Sequence, residues 1–175
     1  MVSCTLTSNH EENKIRAEKA GAIEAAVAAM RAHKGYRRVQ HGACHALYAL
    51  TFHTLESQIQ ASHADAIDAV VADLCAHRGV EGIQMNGCLA LHTLTIGNTE
   101  NQLRAGKAGA MKTVVAAIRG HTGSRGFVHQ QACAALGSLT DGTAENKIRA
   151  GNAGAVKEVV AALHVHLGNE GLQIE

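Results

Sequence analysis

The sequence contains no proline and no tryptophan, and its aromatic residues are two tyrosines and two phenylalanines among 175 residues. Without proline, ring-imposed kinks and rigid turns are excluded, so the 18 glycines must do the chain-breaking. With so few aromatics, the 46% hydrophobic content is carried by Ala, Val, Leu and Ile, small side chains that let helices pack closely. Neither sign of charge dominates: 16 Lys and Arg face 15 Asp and Glu, for a net charge of +1. That balance argues against nucleic acid or an acidic membrane surface as a partner. No apolar run reaches about 18 residues, so no membrane-spanning helix is expected. The opening Met1-Val2-Ser3-Cys4-Thr5 has neither a basic region nor a sustained apolar stretch, so no signal peptide is expected. Five cysteines, an odd number, do not make a disulfide framework. They read as small core residues in a reducing compartment, which points to an intracellular setting, cytoplasmic or nuclear.

What the sequence does contain is a repeat. Glu12-Asn13-Lys14-Ile15-Arg16-Ala17 returns as Glu145-Asn146-Lys147-Ile148-Arg149-Ala150, with Glu56 to Ala61 and Glu100 to Ala105 between them. The starts at 12, 56, 100 and 145 are 44, 44 and 45 residues apart. A second marker keeps this spacing: His33, His77, His121 and His166, each two residues before Gly35, Gly79, Gly123 and Gly168. A third is Cys44, Cys88 and Cys133, each three residues before Leu47, Leu91 and Leu136. The extra residue of the last step falls between His121 and Cys133, where Gly123-Ser124-Arg125-Gly126 reads as a loop that tolerates insertion.

Each unit reads as three helices. The first is short, such as 100–107, begins near Thr54, Asn98 or Thr143 as a capping residue, and ends near Gly21, Asp65, Gly109 or Gly154. The second runs over about 110–121, with Met111, Val114, Val115 and Ile118 at the i, i+3, i+4, i+7 spacing of one buried face. The third runs over about 127–140, with Cys133, Leu136 and Leu139 inward, and stops at Asp141-Gly142. A single unit cannot bury its own apolar stripe, whereas stacked units can. The expected fold is therefore all-α: a right-handed α-α superhelical solenoid of about four three-helix units, forming one domain over 1–175.

The Ala-Gly-Ala-Ile turn (Ala20 to Ile23, echoed at Ala108 to Met111 and Ala153 to Val156) and the Ala-Cys-x-Ala-Leu-x-x-Leu third helix (Ala132 to Leu139, echoed from Ala43 and Gly87) carry a family likeness. Together with the period, they make the whole chain resemble the armadillo repeat. HEAT repeats, which have two helices and usually a proline kink, are the next most similar. The resemblance implies a non-enzymatic scaffold whose third helices line a concave groove for a protein or peptide partner. In importin-alpha-like relatives an Asn ladder clamps the peptide backbone and a Trp one turn earlier makes slots. Here the Asn positions hold Ala49, Thr93 and Ser138, and the Trp positions hold His45, Leu89 and Ala134. The clamp therefore does not carry over, since Ala has no polar group and Thr or Ser reach less far than an amide. Also missing is the Pro that many armadillo units place at the start of helix two. By helical spacing the groove surface should include His41, His45, Tyr48, Ala49, Met85, Leu89, His92, Thr93, Gln130, Ala134, Gly137 and Ser138.

The two ends fall inside third helices. Val2, Leu6 and Thr7 read as the tail of one, and Leu172, Gln173 and Ile174 as the head of another. Neither end looks like the polar cap that repeat arrays need. Two readings follow: a fragment of a longer armadillo protein, or head-to-tail association in which Val2 and Leu6 meet Leu172 and Ile174 of the next chain.

Other clusters have plainer explanations. His41 and His45 have the i, i+4 spacing of two metal ligands, and His92 could approach, yet no further ligand is legible. They read as groove-lining histidines. The His33, His77, His121, His166 series sits where histidine can cap helix C-termini. Arg16, Arg104 and Arg149, with Gln60 in the same register, share their helices with Glu12, Glu56, Glu100 and Glu145 and read as a mixed-charge solvated face. No paired carboxylates, nucleophile elbow, phosphate loop or metalloprotease motif appears, so neither catalysis nor a cofactor is expected.

Overall fold

The computed structural model describes residues 11–52, 54–122 and 126–170, and these form eleven α-helices with no strand among them. The protein is all-α. The first unit contributes α1 (Glu11–Lys19), α2 (Ala22–Ala32) and α3 (Arg37–Thr51). The second contributes α4 (Leu55–His63), α5 (Ala66–Ala76) and α6 (Glu81–Thr95), and the third α7 (Thr99–Lys107), α8 (Ala110–Gly120) and α9 (Phe127–Thr140). The fourth supplies α10 (Ala144–Ala153) and α11 (Ala155–Glu170). Val2, Leu6, Leu172 and Ile174 lie outside the described residues, as does the 123–125 part of the expected loop.

Local chemistry sets most of these boundaries. The first helix of every unit ends on a residue in the left-handed region: Gly21, Asp65, Gly109 and Gly154, with Asp65 at φ 59 the only non-glycine there among the described residues. An L-residue accepts that conformation at a cost, which Asp and Asn bear best. Asp65 has a second role. Its carboxylate accepts from Arg31 of the first unit at 2.9 Å and from Arg104 of the third at 2.5 Å, so one side chain ties three units together. Those two guanidiniums, Arg31 first, hold its carboxyl below the usual carboxylate range.

Two expected caps act differently. Asn98 does cap α7, accepting from the Asn101 backbone N–H at 3.1 Å. Thr54 and Thr143 stand at N-cap positions without a side-chain cap bond. The Thr54 hydroxyl pairs with Ser57, and Thr143 donates to Gln102 Oε1 at 3.0 Å. For Thr143 a neighbouring unit offers an acceptor that the sequence order does not reveal. The fourth unit also departs from its fellows, because α11 continues through His166 to Glu170 instead of ending there.

Helices of like rank lie beside each other: α4 with α7 and α10, α2 with α5, α8 and α11, and α3 with α6 and α9. The substantial helix contacts fall within a unit or between adjacent units. The third-helix row is the tightest, because it meets through small residues. A Cβ added at Gly82 of α6 would stand 2.9 Å from His41 Cδ2 of α3. The core runs between the second and third helices, built from Ile67, Val70, Leu74, Cys88 and Leu91 and their counterparts. Burying one such aliphatic side chain stabilises the fold by about 1.5–3 kcal/mol.

Buried amides complete the joints. Asn101 Nδ2 donates to Gln58 O at 3.1 Å and Leu94 O at 2.8 Å, and Asn146 Nδ2 to Gln102 O at 2.7 Å and Leu139 O at 2.8 Å. Each joins its helix to the previous first helix and to the end of the previous third helix, whose last carbonyls lack helical partners. Gln40 likewise serves Met30 O and His33 O, and Gln84 serves Leu74 O and His77 O. In the third unit His129 takes this place, with Nε2 3.0 Å from Ile118 O and Nδ1 2.8 Å from His166 Nε2.

Candidate functional site: the third-helix row

Helices α3, α6 and α9 position the candidate surface. His41, His45, Tyr48, Ala49, Met85, Leu89, His92 and Ala134 are half-buried along it, while Gln130 and Gly137 are exposed. Thr93 and Ser138 are buried, so they are not surface residues as the helical spacing had implied. Thr93 Oγ1 lies 2.9 Å from Thr51 Oγ1, and Ser138 Oγ lies 3.0 Å from Thr95 Oγ1. The reason is the close approach of neighbouring third helices, which turns the flank of one helix into the joint with the next. Spacing along a single helix carries no information about where that neighbour stands.

The row is cross-tied at several rungs. Asn86 Nδ2 donates to His41 O at 3.4 Å, and His92 Nδ1 lies 3.1 Å from Ala134 O. A carbonyl only accepts, so Nδ1 of His92 carries the proton. Aromatic rings cluster in the first unit: His45 and Tyr48 have centroids 5.8 Å apart, and Tyr48 and Phe52 5.5 Å. Burial, with His41 as a second cause, lowers the pKa of His45 and favours its neutral ring. Every ion pair found among the described residues lies on the first and second helices or the turns between helices, none on the third-helix row.

Of the third-helix cysteines, Cys44 and Cys88 are core groups, and Cys133 is half-buried against the core. Burial raises the thiol of Cys44 well above its ordinary value, with Asp73 adding to it, and pushes Cys88 up to about 12. Cys133 is also raised by burial, while Cys75 is exposed. A thiol so shifted is a poor nucleophile.

One polar cluster escaped the sequence reading. Asp73 occupies the register of Ala29, Ala117 and Ala162 and is buried. Its Oδ1 lies 2.8 Å from His77 Nδ1, and its Oδ2 accepts from Cys44 Sγ at 3.4 Å. Burial raises its pKa, partly offset by Cys44 and His77. The carboxylate stands between thiol and imidazole, so the imidazole is not placed as the base of a thiol nucleophile. The cluster borders a cleft of about 250 Å³ between α2 and α5. An aspartate in an alanine register was the signal that could have found it. Among the described residues no group of three or more His, Cys, Asp and Glu side chains could hold a metal ion, and no helix is long and apolar enough to cross a membrane.

No family model, no curated protein and no solved structure matches the chain. The functional reading therefore rests on the repeats and on the geometry they build.

Proposed function

We propose that the chain is a non-enzymatic interaction scaffold of the armadillo-like, right-handed superhelical kind, which presents its third-helix row to a protein or peptide partner inside the cell. The observation that carries this reading is the row itself. It is a run of half-buried apolar, aromatic and imidazole groups with no ion pair among the described residues, whereas several first and second helices carry them. Tyr48 supplies the side-chain type that most often anchors an interface. The partner is held by side-chain contact and not by a backbone clamp, because Ala49 has no polar group and the Thr93 and Ser138 hydroxyls face other threonines. With one aromatic anchor of its own, the row draws its affinity from anchors that the partner supplies.

The test uses three full-length proteins: the wild type, Tyr48→Ala combined with Leu89→Asp, and Lys112→Glu on the exposed side of α8 as a control. A partner retained by the wild type and the control but reduced at least about tenfold by the row variant supports the proposal. Equal recovery from all three overturns it.

A further inference from the structure

The second helices meet at three joints, α2 with α5, α5 with α8 and α8 with α11, and one pair of registers faces across each. At the third joint that pair is Arg119 and Glu158, which meet at 2.9 Å. At the second it is Cys75 and Thr113, whose Sγ and Oγ1 lie 3.3 Å apart. At the first it is Arg31 and Ala69. Alanine has no polar atom to offer, and Arg31 turns aside to Asp65 at 2.9 Å. At this joint the cleft of about 250 Å³ stands open, with Met30, Ala69, Ala72 and Ala76 as its apolar lining.

The polar lining of the cleft has unused capacity. Of its charged residues, Arg31 is paired with Asp65, Asp68 with Arg104 and Asp73 with His77. Lys34 alone has no ion pair among the described residues, so the cleft keeps one unmatched positive charge. Gln40 is 1% exposed and commits its Nε2 to Met30 O and His33 O, which leaves Oε1 without a partner among the described residues. Asn146 Oδ1 is the one sealed side-chain atom there that lacks a partner, so the Gln40 oxygen is reached from the cleft it lines. Water or a ligand must serve it. His77 Nδ1 faces two acceptors, Asp73 Oδ1 at 2.8 Å and Asp73 O at 3.3 Å, and therefore carries the ring proton. Its Nε2 is then a second open acceptor.

We propose that this cleft binds a small carboxylic acid built on one aromatic ring that carries a hydroxyl. The carboxylate pairs with Lys34, the ring covers Met30 and the three alanines, and the hydroxyl donates to Gln40 Oε1 or His77 Nε2. An apolar cavity of about 150 Å³ holds benzene, so about 250 Å³ takes one ring with short polar arms. The Met30 thioether favours an aromatic ring over an aliphatic chain. An anion suits the site, because the two carboxylates that border it are already matched by Arg104 and His77. The apolar lining supplies affinity, and the few polar groups fix orientation. The cleft shares no residue with the third-helix row, so this site stands or falls apart from the row's partner.

An NMR titration of the full chain with para-hydroxyphenylacetate tests this. The expected result is a Kd of about 1 mM or tighter for the wild type. The uncharged para-hydroxyphenylacetamide binds about three- to fivefold more weakly, and phenylacetate, which lacks the hydroxyl, about two- to tenfold more weakly. Lys34→Gln, at an exposed position, weakens the acid about three- to fivefold and leaves the amide unchanged. Ala69→Glu gives Arg31 the partner that Arg119 has at the third joint, closes the cleft and abolishes binding of acid and amide alike. Ala69 is half-buried, so circular dichroism first establishes that this variant folds, whereas Lys34→Gln needs no such check. A wild type that takes up no probe at about 10 mM, a Lys34→Gln protein that binds the acid as the wild type does, or a folded Ala69→Glu protein that still binds overturns the proposal.

Discussion

Helices α8 and α11 carry the same apolar stripe at the same spacing, yet α8 buries it and α11 displays it. Nothing in either helix accounts for the difference. α8 lies under α9, and no described helix lies over the stripe of α11. The contrast shows how a repeat fold divides its labour: each unit makes the apolar surface, and a separate element hides it.

The comparison is sharpest for substitutions in matched positions. Ile118→Ala in α8 removes a side chain that is 1% exposed and should cost about 2–5 kcal/mol. Leu163→Ala, the same register in α11, should cost less than about 1 kcal/mol. Urea denaturation of both variants at a concentration where the chain is monomeric checks this, and equal losses would break the comparison. The glycine pair in the first helices is next. A Cβ at Gly106 would stand 2.0 Å from Asn146 Oδ1, whereas one at the equivalent Gly151 meets nothing within 4 Å. Gly106→Ala should destabilise by about 1–3 kcal/mol through overpacking, and Gly151→Ala should stabilise by about 0.5–1 kcal/mol through helix propensity. Asn146→Ala removes the obstructing amide, so in that background the Gly106→Ala penalty should shrink, as melting temperatures of the double cycle would report.

Asp73 breaks the symmetry from within, since its counterparts in α8 and α11 are Ala117 and Ala162. Burial raises its pKa in the fold above the unfolded value. Its stabilising contribution is then complete below the unfolded pKa and is lost as pH rises through the higher, folded one. Relative to Asp73→Ala, the wild type should lose stability as pH climbs through the range just above ordinary carboxylate values. Urea midpoints of both proteins measured across that range check the sign. The smallest effect belongs to Arg119, whose side chain reaches from α8 to Glu158 of α11 at 2.9 Å while remaining largely exposed. Arg119→Ala should cost no more than about 1 kcal/mol, and added salt should erase the difference.

Much of the fold was legible because its signals are local. The Glu12, Glu56, Glu100 and Glu145 register, the left-handed residues at 21, 65, 109 and 154, and the third helix over 127–140 all follow from chemistry within a turn or two of chain. The candidate surface was legible only in part. His41, His45, Tyr48, Met85 and Leu89 lie on the row, but Thr93 and Ser138 are sealed against threonines more than forty residues away. Partners 29 to 41 residues away likewise hid Thr143 serving Gln102, the three-unit role of Asp65, and Asp73 against Cys44.

By itself the sequence determined the period, the three helices per unit and the apolar stripe along each second helix, because propensity, glycine turns and side-chain spacing act over a few residues. Tertiary structure decided which stripe is covered, which hydroxyls turn inward and which carboxylate is stripped of water. Those outcomes depend on what a neighbouring helix places a few ångströms away, and that neighbour comes from another part of the chain.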